Sequence, residues 1–170
     1  MIFLIYSNPK GINMNSISAS IRNEILINRE IEVVWDCIFE FPKWSPAVGK
    51  AELISGEWRE EGRVLLITKK ESAGMDPFFL ETIKLDPCKQ LVNKVDSKDG
   101  GQANGFVDIS LAKCGEKTKV IYSNYVTFRS EEKMPKGSFR GESAIESIKE
   151  LYLKPLKEYA EKKPSSENSE

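Results

Sequence analysis

From Ile17 to Ile27 apolar and polar positions alternate: Ile17, Ala19, Ile21, Ile25 and Ile27 are interleaved with Ser18, Ser20, Arg22 and Glu24. A period of two over this length predicts a strand with one buried face. The period then changes. Ile31, Val34, Trp35, Ile38 and Phe39 recur at helical spacing, predicting a helix over 30–39. Asn28 is its candidate N-cap, with Glu30 and Glu32 in the first turn, where the helix dipole favours them. Pro42 ends this helix, and 43–48 reads as a second short turn or helix limited by Pro46.

Short strand patterns follow at regular spacing, over 51–55, 62–70, 78–85, 90–96, 106–113 and 118–128. Turn chemistry separates them: EWREEG, Asp76-Pro77, Asp86-Pro87, the run SKDGGQANG, and Cys114-Gly115-Glu116. With the first strand these make seven, which predicts an antiparallel meander. Helical spacing returns after Phe139, where Ile145, Ile148, Tyr152, Leu156 and Tyr159 share one face and Ser143 with Glu146 fits a capping box. Pro155 lies inside this pattern. It lacks a backbone donor and crowds the carbonyl of Leu151, so a kink is expected there. The polar end, KKPSSENSE, reads as disordered.

Composition narrows the function. The chain has 170 residues, 40% apolar and 30% charged, with a net charge of −1, which reads as one soluble globular domain. Nucleic acid is excluded as a partner, since a phosphate backbone calls for clustered Lys and Arg. The run MIFLIYSNPKG is too short for a membrane-spanning segment and has neither a basic start nor a small-residue cleavage site. The domain is therefore expected over 16–160, with 1–15 a leader that need not belong to the fold, Met14 an alternative start, and 161–170 a disordered tail. Cys37, Cys88 and Cys114 form no C-x-x-C pair, which fits reduced thiols in a cytoplasmic protein and no metal site. There is no histidine. That removes Ser-His and Cys-His nucleophile pairs and leaves Asp, Glu, Lys, Tyr, Arg or Cys for any catalysis.

The order is strand, two short helices, six strands, one long helix. Within it lie INREIEVVWDCIFEFPKWSP, LISGEWREEGRVLLI, LETIKLDP and GEKTKVIYSNYV. Together these resemble the SRPBCC superfamily of START/Bet v 1-like domains, most closely its polyketide cyclase/dehydrase-like branch. The resemblance implies an α+β helix-grip fold: a curved seven-stranded antiparallel sheet wrapped around a long C-terminal helix, with two short helices after strand one. It also implies a cavity between sheet and helix, without a cofactor. One helix cannot fill the concave face of such a sheet, and concave apolar spaces with a few polar groups bind small ligands.

On such a sheet, alternation sorts side chains by face. The expected inward rows are Phe79, Glu81, Ile83 and Leu85; Leu91, Asn93 and Val95; Val107, Ile109 and Leu111; and Val120, Tyr122, Asn124 and Val126. The candidate ligand contacts are Phe41, Trp44, Phe79, Glu81, Asn93, Ile109, Tyr122, Asn124, Ile148 and Tyr152. Glu81 is also the one candidate catalytic group, because a carboxylate on an apolar wall has its pKa raised by desolvation; a salt bridge explains it equally well. Trp35 reads as core, Trp44 as core or a ligand-facing cap, and Trp58 as cover for a strand end. The segment RSEEKMPKGSFRGES reads as a solvated loop or a lid. The leading functional reading is non-catalytic binding or transport of a small hydrophobic molecule: a lipid, isoprenoid or polyketide-like aromatic. The alternatives are a cyclase- or dehydratase-like enzyme and an interaction module like the Hsp90-activator relatives of the superfamily.

Overall fold

The structure, a computed structural model, describes residues 2–6, 17–70, 77–98, 103–128 and 148–164. All seven expected strands are present: β2 (Ile17–Ile27), β3 (Val48–Ser55), β4 (Val64–Lys69), β5 (Phe78–Asp86), β6 (Gln90–Ser97), β7 (Ala103–Cys114) and β8 (Lys117–Phe128). A further strand, β1 (Ile2–Tyr6), lies ahead of them and pairs with β2. Every pairing is antiparallel, and the sheet order is β1-β2-β8-β7-β6-β5-β4-β3.

That order explains the helices. β2 and β3 are consecutive in the chain but lie at opposite ends of the seven-strand run, so their connection must cross the sheet. It does so as α1 (Ile31–Phe39) and α2 (Phe41–Trp44). The crossing buries Val34, Trp35, Cys37, Ile38 and Phe39, and Trp35 meets Phe39 edge-to-face at 5.3 Å. The expected Asn28 cap is not formed. The helix starts after Glu30 with no side-chain cap, and the Asn28 N–H donates instead to Glu161 Oε1.

The sheet bends where its register slips. Extra residues interrupt the β3–β4 ladder between Val48 and Lys50 and between Leu53 and Ser55, and the β5–β6 ladder between Thr82 and Lys84. Such bulges bend the strand that carries them and raise its twist. The C-terminal helix packs across the resulting concave face. Ile148, Leu153, Leu156 and Ala160 join Ile21, Ile27, Leu91, Leu111 and Val120 in the main core cluster. A smaller cluster of Val48, Leu65 and Ile67 closes the β3–β4 end.

Pro155 acts where expected, in a particular form. The helix widens into a π-helical turn over Lys149–Leu153 before continuing as α3 (Lys154–Lys162), and the Lys154 N–H bonds back five residues to the Lys149 carbonyl. A wider turn relieves the clash between a proline ring and the carbonyl four residues earlier. The helix also runs past the expected boundary at residue 160. Arg29 donates to the carbonyls of Glu161 and Lys163, capping the helix end. Lys163 pairs with Glu40 at 2.9 Å. The expected capping box at Ser143 and the loop-or-lid segment lie outside the described residues.

Candidate functional site

The concave wall can be read from the ladder, because directly paired residues point to the same face. One row runs Thr82–Asn93–Val107–Asn124–Ile21 across five strands. The next runs Leu91–Ile109–Tyr122–Asn23, and a third, Val95–Gly105–Val126, lies on the other side of the first. Val107 and Ile109 pack against the main cluster, which identifies these rows as the inner face. The inward expectations for β6, β7 and β8 match this face.

Those for β5 do not, apart from Leu85. The bulge at Ile83 switches the phase of the strand: Phe78, Leu80 and Thr82 point inward before it, and Leu85 after it. Phe79 and Glu81 therefore face outward, and Ile83 is 43% exposed. Glu81 sits opposite Lys94 and contacts its Nζ at 3.9 Å on the open outer surface. Glu81 thus stands outside the concave wall and is not a cavity acid or base. The candidate contact Phe79 is corrected for the same reason.

Of the remaining candidates, Asn93, Ile109, Tyr122 and Asn124 share the inner face, and Tyr152 and Ile148 approach it from the helix. Tyr122 and Tyr152 stack with ring centroids 5.5 Å apart and planes 19° from parallel. Burial raises the pKa of both phenols, and for Tyr122 the neighbouring Tyr152 adds to it. Phe41 and Trp44 come from α2. Phe41 packs on the small Val48 cluster. Trp44 packs on the main cluster, and its indole Nε1 donates to the Cys37 carbonyl at 2.7 Å.

A buried polar group on this side escaped the sequence reading. Arg63 is 1% exposed. Its Nε donates to Thr82 Oγ1 at 3.1 Å, and the Thr82 hydroxyl donates in turn to Asn93 Oδ1 at 2.9 Å. A second guanidinium nitrogen donates to the Trp58 carbonyl, and the cation lies 5.4 Å from the Phe39 ring centre and 5.6 Å from that of Trp58. Burial lowers its pKa to about 10, so it stays charged at neutral pH. This cation fastens the Trp58 turn and α1 to the sheet. Trp58 thereby bridges both clusters and does more than cover a strand end. The available signal was the phase of Arg63 with Leu65 and Ile67.

Coverage of the wall is graded. At one end Leu91, Leu111 and Val120 are buried under the helix. Toward the other, Val95, Val107, Asn124 and Val126 are only half-buried although they point to the concave side. Gly105, itself buried, stands between Val95 and Val126 in that row without a side chain. A Cβ there would lie 2.1 Å from the Tyr125 carbonyl oxygen, so no larger residue fits.

No protein-family profile and no curated relative matches the sequence. Solved structures do. A START superfamily protein from Mycobacterium smegmatis aligns with a TM-score of 0.67 at 14% identity, over 84% of this chain and 97% of its own. An uncharacterised protein from Rhizobium leguminosarum gives 0.68 at 12% identity, over 89% and 100%. The Zhui aromatase/cyclase of a Streptomyces species gives 0.65 at 11% identity, over 89% and 98%. No described helix is long and apolar enough to cross a membrane. The chain thus has the curved antiparallel sheet and closing C-terminal helix of the START/Bet v 1-like helix-grip fold.

Proposed function

We propose that the protein binds a small hydrophobic molecule, such as a lipid, isoprenoid or polyketide-like aromatic, between the concave sheet and the C-terminal helix, without transforming it. The observation that carries this reading is the graded wall. Val95, Val107 and Val126 face the concave side and remain half-buried, while residues of the same strands further along are sealed. Covering such apolar surface is worth about 25 cal/mol per Å², which would supply most of the affinity. Ile109, Tyr122, Asn124, Ile148 and Tyr152 are the contacts this reading assigns. The cyclase- or dehydratase-like alternative leans on Glu81, Tyr122 or an arginine. Glu81 faces outward, and the described residues of the inner wall include no carboxylate to replace it. Arg63 is already engaged by Thr82 and the Trp58 carbonyl, which leaves that alternative only Tyr122. Titration with N-phenyl-1-naphthylamine, whose fluorescence rises in apolar surroundings, tests the proposal. Saturable one-to-one enhancement by the native protein, lost in Val107→Phe, is expected. No enhancement by the native protein would refute it.

A further inference from the structure

Tyr122 is 7% exposed and Tyr152 is half-buried, yet neither phenol hydroxyl has a hydrogen-bond partner among the described residues. Every sealed side-chain nitrogen or oxygen among those residues does have one. The two hydroxyls therefore still open onto accessible space, although the stacked rings beneath them are held in the core. Asn124 lies two residues from Tyr122 on the same face of β8, and its carboxamide is likewise without a partner among the described residues. Three polar groups on the last strand and the π-helical turn, two of them stacked ring on ring, thus have hydrogen-bonding capacity that no described residue uses. Polar groups on an apolar wall carry a desolvation cost unless something hydrogen-bonds them.

We propose that Tyr122, Tyr152 and Asn124 form the polar recognition site of the hollow, and that its ligand is a neutral amphipathic molecule presenting a carbonyl or hydroxyl oxygen to the two phenols. This rests on the binding function proposed above and adds the chemical class. The phenols' raised pKa values keep them protonated, as donors, across the physiological range. Among the described residues the only charged side chain sealed on the inner side is Arg63, and Thr82, Trp58 and Phe39 already engage it. Asn124 lies three strands from Thr82 along their shared row, about 14 Å at usual strand spacing. Among the described residues no sealed cation lies beside the tyrosine pair to balance a carboxylate, and burying one unpaired is strongly unfavourable.

Three probes of similar aromatic shape separate the possibilities. Prodan is a neutral naphthyl ketone whose emission moves to the red when its carbonyl accepts a hydrogen bond. 6-(Dimethylamino)-2-naphthoate carries a carboxylate in place of the ketone, and N-phenyl-1-naphthylamine has no oxygen. The native protein should bind prodan at least tenfold more tightly than the naphthoate. Tyr122→Phe and Tyr152→Phe should each weaken prodan roughly three- to tenfold, as loss of one hydrogen bond does, and move its bound emission to the blue. Both changes should leave N-phenyl-1-naphthylamine binding within twofold. Equal binding of naphthoate and prodan, or unchanged prodan affinity and emission in both variants, overturns the assignment even where the oxygen-free probe binds. If none of the three binds the native protein, the binding function itself falls and the recognition site with it.

Discussion

Val107→Phe and Val120→Phe make one chemical change at two inward-facing positions of neighbouring strands. Valine and phenylalanine both favour strands, so backbone preference cancels and the difference reports the space in front of each side chain. Val120 is 0% exposed and lies in the main cluster beneath the C-terminal helix. A phenyl ring there must displace Leu111, Leu156 or their neighbours, at a typical cost of about 1–3 kcal/mol. Val107 is half-buried at the edge of the main cluster, on the less covered part of the wall. A ring entering open space there would bury roughly 40 Å² more apolar surface, a gain of about 1 kcal/mol at ~25 cal/mol per Å². The two variants should thus differ by about 2–4 kcal/mol. With a urea slope of about 2 kcal/mol per M, their unfolding midpoints should lie roughly 1–2 M apart, with Val107→Phe at or above the native protein and slopes unchanged. If Val107→Phe lowers the midpoint as far as Val120→Phe does, the wall at Val107 is already packed and no hollow exists there.

Further outcomes follow from other contacts. Gly105→Ala should lower stability by at least ~2 kcal/mol in urea unfolding, because its Cβ would meet the Tyr125 carbonyl at 2.1 Å and strands β7 and β8 would have to part. The Glu40 carboxylate is held down to about 2 by hydrogen bonds from Lys163 and Tyr159, against an ordinary value of 4.5. Its stabilisation is therefore complete above pH 4.5 and fades as the pH falls toward 2, and Glu40→Gln should flatten the stability profile in that window by about 1 kcal/mol, the size of a well-formed surface pair. Toward a thiol reagent at neutral pH, exposed Cys114 should react first and Cys37 last, since Cys37 is 1% exposed and burial pushes its thiol up to about 11.

Local periodicity made the strands legible wherever it ran unbroken. β2 matches its expected bounds because eleven residues alternate without an insertion, and β6, β7 and β8 show the expected faces for the same reason. β5 misled because Ile83 is an extra residue, and one insertion reverses the phase of everything before it. The row Phe79, Glu81, Ile83, Leu85 looked the more apolar, yet Thr82 is buried, its hydroxyl satisfied by Arg63 just ahead of β4 and by Asn93 on β6. Such a contact has no trace in local hydropathy. Arg63 itself resembles the polar first residue of a strand. The obstruction at Pro155 could be foreseen from its missing donor; the π-helical turn that resolves it leaves no mark in the hydrophobic period. The C-terminal end misled in another way: Glu161 and Lys163 look like a solvated tail, and their partners, Asn28 and Glu40, lie far off in the chain.

The central claim is that the concave wall accommodates a guest molecule. Native mass spectrometry of the protein purified from its own host tests it most directly. The account predicts, beside the bare 19.3 kDa chain, a species heavier by the mass of one small neutral organic molecule, released on denaturation and absent from Val107→Phe. Bare chain alone in the native protein, or an adduct retained undiminished in Val107→Phe, would contradict it.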